Sequence, residues 1–215
     1  MRRVAALLAM VLLAACADLF SPTRPDTYEF RDFQSNAGGG TDTLAFHWSR
    51  ELLPVRIYVG QDDTLLTYTQ VAIARWSGAF LYGELKAVLV NDSTTADIII
   101  VNGFPPDGIF LREPLAAFAT GCSGATDRPI GHSYQLPIHT NVWSNTGSLV
   151  PGLDLCFDIT VTHELGHALG ILNHSHNTGD AMYGAPVLDG LSDRDRQTIE
   201  KAYHTPANVT VTGRR

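Results

Sequence analysis

The chain has 215 residues, 45% of them hydrophobic and 17% charged, which excludes disorder over most of its length and fits one well-filled domain. Its formal charge of -7, from 15 basic against 22 acidic residues, argues against a nucleic-acid partner, which calls for a basic face, and leaves protein or small-molecule partners. The three cysteines, Cys16, Cys122 and Cys156, are an odd number, and in an exported chain the unpaired one needs its own explanation.

The N-terminal stretch supplies that explanation. Met1, Arg2 and Arg3 make a basic start, and Val4 to Ala15 is an unbroken apolar run of signal-peptide length, too short to span a bilayer comfortably. It ends Leu13-Ala14-Ala15-Cys16, which resembles the lipobox of bacterial lipoproteins, where cleavage precedes the cysteine and the cysteine carries the lipid. The resemblance implies that residues 1–15 are a discarded signal and that Cys16 bears a lipid, the chain's one expected tie to a membrane. A plain signal peptide cut near an Ala-x-Ala-like site is the alternative. Cys122 and Cys156 remain as a pair in an oxidising compartment, where a disulfide is the default, and neither lies in a C-x-x-C unit that would favour metal instead.

Residues 16–44 contain Pro22, Pro25 and Gly38-Gly39-Gly40 without sustained periodicity, and read as a tether. The folded domain is expected over 45–204, with 205–215 a flexible tail. Between Leu52 and Val59 the residues Val55, Ile57 and Val59 alternate with Arg56 and Tyr58, as in a strand with one buried face. Thr67 to Phe80 carries Val71, Ala72, Ala74, Trp76 and Ala79 at helical spacings, an amphipathic helix with Trp76 in the core. Leu85 to Val90 and Ala96 to Val101 are apolar and β-branched, and Ile98-Ile99-Ile100-Val101 is apolar on both faces, as a buried central strand requires. Ala116 to Thr120 and Tyr134 to Val142 are further strands in this reading, separated by a Gly-rich loop that holds Cys122. There is no internal repeat and no second apolar run long enough to cross a membrane.

The chemistry is concentrated after Thr162, in the H-E-x-x-H unit His163-Glu164-Leu165-Gly166-His167. On a helix, residues four apart stand one above the other, so His163 and His167 offer two imidazoles from one face to a single metal ion. Glu164 sits about 100° further round, within reach of a water on that metal. The opposite face, Val161, Leu165, Ala168 and Leu169, is apolar and anchors the helix. Gly170 can take the left-handed conformation that ends a helix sharply, letting the chain turn back and present His174 as a third ligand. Three protein ligands leave a fourth zinc position for water, the catalytic arrangement, whereas four would make the site structural.

With these residues in hand, the chain resembles the metzincin superfamily, and within it the matrixin-like zinc endopeptidases. The family pattern H-E-x-x-H-x-x-G-x-x-H with a downstream Met-turn is met by His163, Glu164, His167, Gly170 and Ala181-Met182-Tyr183. The resemblance implies an α+β zincin domain: a twisted mixed sheet with an N-terminal helix, an active-site helix and a C-terminal helix. The last helix is expected to start at Leu191-Ser192-Asp193-Arg194-Asp195, with Ser192 as N-cap and two aspartates in the first turn, and to run to Tyr203. The resemblance further implies one catalytic Zn2+, metal-activated water, Glu164 as general base and Met182 as an apolar floor under the metal. A protein or peptide substrate would lie along an edge strand around Leu115 to Thr120, with Tyr183 to Val187 walling a side-chain pocket. A monomeric enzyme outside the cytoplasm is expected, lipid-anchored to a bacterial envelope or secreted.

One departure stands out. The family's third histidine position is Asn173 here, and His174 lies one further on, a lengthening that a loop absorbs; Asn173 is itself a poor zinc ligand. His176 is a second candidate. Asp180 is another, because Thr178-Gly179-Asp180-Ala181-Met182-Tyr183-Gly184 resembles the element that supplies the aspartate ligand in aspzincins. His47, His132, His139 and His204 have no linking spacing, and no second metal is expected. The rival reading is a surface-anchored zinc-containing binding protein without peptidase activity, which would have no need of Glu164.

Overall fold

The computed structural model describes residues 26–105, 121–144 and 153–213. The signal segment, Cys16 and the expected strand at Ala116 to Thr120 lie outside these residues. The first described element corrects the tether. Tyr28 and Phe30 are buried in the main core, and a hairpin follows, β1 (Asp32–Ser35) antiparallel to β2 (Thr41–Leu44). Its turn is the glycine triplet: Asn36 Oδ1 accepts from the Gly38 and Gly40 amides, and Gly39 takes φ 79°. Gly-rich composition has the same local signature in a tight turn as in a linker, and here the partner strands decide between them.

Among the described residues five strands make the central sheet. They are β3 (Val55–Val59), β4 (Ala87–Val90), β5 (Ile98–Asn102), β6 (Cys122–Thr126) and, beyond the short β7 (Ser133–Gln135), β8 (Ile138–Ser144). The sheet order is β4-β3-β5-β8-β6, parallel except for β6, which runs antiparallel to β8 at the edge. The isoleucine-rich β5 lies at the centre, as its two apolar faces require. The expected strand at Tyr134 to Val142 is two strands, because Pro137 between them has no N–H to give a ladder. β7 instead pairs in parallel with β9 (Thr210–Thr212). That pairing corrects the flexible tail: Asn208 ties the C-terminal stretch to Ala45 N and Thr43 O, each at 2.8 Å.

Among the described residues there are three α-helices, so the class is α+β, as expected. α1 (Asp63–Ser77) begins four residues earlier than its apolar spacing indicated, because Asp62 caps it by accepting from Leu65 N at 2.9 Å. Its buried stripe, Leu65, Thr69, Ala72 and Trp76, faces α2 (Leu153–Leu169), and Trp76 Nε1 donates to Thr162 O at 2.9 Å. α2 packs against α1 and against β6 and β8 of the sheet, and Val161, Leu165, Ala168 and Leu169 are all buried. α3 (Asp193–Tyr203) starts at Ser192 with a reciprocal capping box to Asp195 and ends where the sequence indicated. No helix among the described residues is long and apolar enough to cross a membrane.

Candidate active site

α2 carries His163 and His167 on one face, and the chain leaves the helix at Gly170. Gly170 has φ 129°, and a Cβ there would overlap the carbonyl of Phe46, so both conformation and space demand glycine. The N-terminal stretch forms that wall: Trp48 Nε1 donates to Ala168 O at 3.0 Å, and Leu172 N donates to Phe30 O at 2.7 Å. The turn then returns His174 to the helix. Its Nε2 lies 3.2 Å from His167 Nε2, which lies 3.1 Å from His163 Nε2. The single-residue lengthening is taken up by Asn173, whose side-chain oxygen accepts from the His174 amide at 2.9 Å.

The donor set fits a cation. His163 Nδ1 is 2.7 Å from Ala181 O and His167 Nδ1 is 2.6 Å from Ile171 O, so each Nδ1 must carry the proton and donate it. Their Nε2 atoms are then lone pairs facing one another at 3.1 Å, an arrangement that is repulsive unless a positive centre lies between them. Burial pushes His163 down to about 3, with His174 beside it adding to the effect, and holds His167 well below the ordinary histidine range. The imidazoles are therefore neutral at pH 7, as metal ligands must be. Among the described residues, these three form the one cluster of histidine, cysteine or acidic side chains with metal-binding spacing.

The alternatives are placed elsewhere. His176 is exposed. Asp180 is buried but turned away from the histidines, hydrogen-bonded to Ser175 Oγ and lying 2.8 Å from Ser192 Oγ. His132, His139 and His204 stand apart on the surface beside Asp42, Asp127 and Glu84 respectively, and His47 packs on Tyr203.

Met182 is fully buried beneath the motif. A Cβ on Gly166, between the two helical histidines, would overlap the Met182 sulfur and the Trp76 ring. Gly166 thus has a packing role that the H-E-x-x-H pattern conceals. The turn bearing Met182 is held by Asp195, a fully buried carboxylate whose Oδ2 accepts from Ala181 N and Ser192 N at 2.7 and 2.9 Å and whose Oδ1 accepts from Tyr28 Oη at 2.7 Å. Burial, reinforced by Asp195, pushes the Tyr28 phenol well up, so it stays protonated and donates.

Glu164 is 3% exposed and faces the edge strand rather than solvent. Its Oε2 accepts from Thr126 Oγ1 at 2.8 Å, and a Cβ on Gly124 would overlap its carboxylate. Burial pushes the carboxyl up to about 8 against the lowering effect of that hydrogen bond. The segment read as a Gly-rich loop is therefore the edge strand β6. Its sequence Cys-Ser-Gly-Ala-Thr has little strand propensity, and its place comes from pairing with β8 and from the disulfide joining Cys122 to Cys156 of α2, Cα atoms 5.6 Å apart.

No family model and no curated protein matches this sequence. Among solved structures the chain is similar to myroilysin, with TM-score 0.42 and 13% identity over 70% of this chain and 82% of that one. It is also similar to high choriolytic enzyme 1, a hatching enzyme zinc-protease from the medaka fish Oryzias latipes, with TM-score 0.41 and 13% identity over 76% and 95% of the two chains. Likenesses this distant carry no chemistry across, and the site is read from its own geometry.

Proposed function

We propose that the chain is a metal-dependent hydrolase of the zincin class, with His163, His167 and His174 as the ligands of one Zn2+. The observation that carries this reading is the convergence of three Nε2 atoms while two of the rings spend their Nδ1 protons on backbone carbonyls. Within that class it is a matrixin-like endopeptidase, exported and held to the bacterial envelope by a lipid on Cys16. The domain follows the anchor after a short linker, starting by Asp26.

A zinc ion bound there supplies a Lewis acid that makes water nucleophilic near neutral pH and stabilises the oxyanion. Glu164 is the general base: it takes a proton from the attacking water and returns it to the leaving amine nitrogen. Its burial favours the protonated form, which brings its basicity closer to neutral pH than that of an exposed carboxylate. An extended peptide would add to the edge that β6 presents among the described residues, beside Glu164, with main-chain hydrogen bonds fixing its register. Met182 closes the site from below, and Tyr183 to Val187 forms the pocket wall. Glu164 favours this reading over a zinc-containing binding protein, because a structural site has no use for a buried carboxyl beside its ligands.

Zinc content and casein cleavage test the proposal together. The purified protein is expected to hold about one zinc per chain and to lose cleavage with a chelator. His174→Ala should lose the zinc, while Asp180→Ala should keep it; retention by His174→Ala would overturn the ligand set.

A further inference from the structure

The seam between α2 and β6 has two pins. Cys122 of β6 is bonded to Cys156 of α2, and Thr126 of β6 is bonded to Glu164 of α2. The four-residue step from Cys122 to Thr126 spans about 13 Å of strand, and the eight-residue step from Cys156 to Glu164 spans about 12 Å of helix, so strand and helix run in step. Residues 122, 124 and 126 share one face of the strand, and residues 156, 160 and 164 share one face of the helix. Gly124 lies between the pins, where its missing side chain is the space that Glu164 fills.

Thr126 Oγ1 has three oxygen neighbours: Glu164 Oε2 at 2.8 Å, Glu164 O at 3.1 Å and Thr140 Oγ1 at 3.2 Å. A hydroxyl has one proton, and the nearest acceptor is also the one that carries charge when ionised, so the carboxylate receives it. Thr140, the cross-strand partner of Thr126 on β8, is fully buried and can donate its own proton to Thr126, which polarises the bond onward. A chain Thr140 to Thr126 to Glu164 thus ends on one oxygen of the candidate base.

We propose that Thr126 is a positioning residue for Glu164: its hydroxyl holds Oε2 and orients the carboxylate so that Oε1 exchanges the proton in catalysis, with Gly124 providing the room. This rests on the peptidase reading above. The proton leaves the attacking water for Oε1 and passes from Oε1 to the leaving amine nitrogen, while the Thr126 proton stays on Oγ1 throughout. The Thr126 side chain acts only through Glu164.

The test compares the zinc-loaded wild-type protein with Thr126→Val, Thr126→Ser and Gly124→Ala, each assayed for zinc content and for kcat and KM on a quenched peptide. Thr126→Val keeps the shape and removes the hydroxyl; its kcat is expected to fall about 10- to 100-fold with KM and zinc content unchanged, the usual size of effect for a group that orients a working ligand or base. Thr126→Ser restores the hydroxyl and should recover most of that loss. An unchanged kcat in Thr126→Val, an equal loss in Thr126→Ser, or a change confined to KM would overturn the proposal. If Thr126→Val does not fold, Gly124→Ala decides: a loss of kcat with zinc and KM retained supports the proposal, and wild-type kcat refutes it. Absence of chelator-sensitive cleavage in the wild-type protein would instead refute the peptidase reading itself.

Discussion

Two buried carboxylates divide the work of this molecule. Asp195, at the start of α3, accepts from Tyr28 Oη, Ala181 N and Ser192 N, which tie together the N-terminal stretch, the Met182 turn and a helix N-terminus. Glu164, at the seam of α2 and β6, has its Oε2 held by the Thr126 hydroxyl, and burial raises its affinity for a proton. A carboxylate whose two oxygens both accept from neighbouring elements is pinned and fixes structure; one held by a hydroxyl on one oxygen leaves the other to exchange a proton. The same buried group is therefore a structural knot in one place and a candidate base in the other, according to how many donors the fold aims at it.

The sharpest way to break this comparison is to neutralise each carboxylate in turn. Glu164→Gln is expected to cost about 100- to 10,000-fold in kcat, the range of general acid–base catalysis, with zinc content and urea midpoint at or above wild type. Full activity in that variant would remove Glu164 from the chemistry. Asp195→Ala should show the opposite profile. Stranding the Tyr28 hydroxyl and the Ala181 and Ser192 amides should cost about 3–5 kcal/mol of stability, read as a lower urea midpoint, while the fraction that stays folded still cleaves. A midpoint within error of wild type would deny Asp195 its role.

The smallest expected effect comes from a carboxylate that belongs to neither region. Asp127, the residue after β6, holds the half-exposed His139 above the ordinary histidine value through a hydrogen bond at 3.0 Å, against the lowering effect of burial. A raised folded-state value means that this contribution is complete below the unfolded value of about 6.5 and disappears as pH rises through the folded one. With the His139 side chain 52% exposed, solvent screening leaves it a few tenths of a kcal/mol at most. In His139→Gln, the wild-type stability advantage at pH 5.5 over pH 8.5 should shrink by that amount, and an increase would contradict the sign. Set against Asp195, this pair measures how much burial adds to the same kind of bond.

The legible parts of the sequence were those where function and local geometry share one short segment. His163 and His167 follow from helical spacing, Gly170 from the need to stop the helix, and the α3 cap from Ser192 and its aspartates. Tyr28 and Phe30 alternate with Glu29 and Arg31, a period-two signal of a half-buried extended segment that the neighbouring prolines and glycines obscured. Thr126 and Gly124 carry no such signal, because a threonine two residues after a glycine is ordinary in any loop.

By itself, then, the sequence determined a helix that offers two imidazoles and a carboxyl, a sharp exit from that helix, and cysteines available for pairing. The tertiary structure decided which third imidazole returns to that helix, that Asp180 turns instead toward Ser175 and Ser192, and that a weak strand lies against Glu164. The physical reason is range. Helical periodicity and capping act over a few residues and are written in neighbours, whereas the partners of a buried side chain come from whatever the sheet order and the disulfide bring beside it, here from positions 38 residues apart for Thr126 and Glu164 and 167 for Tyr28 and Asp195.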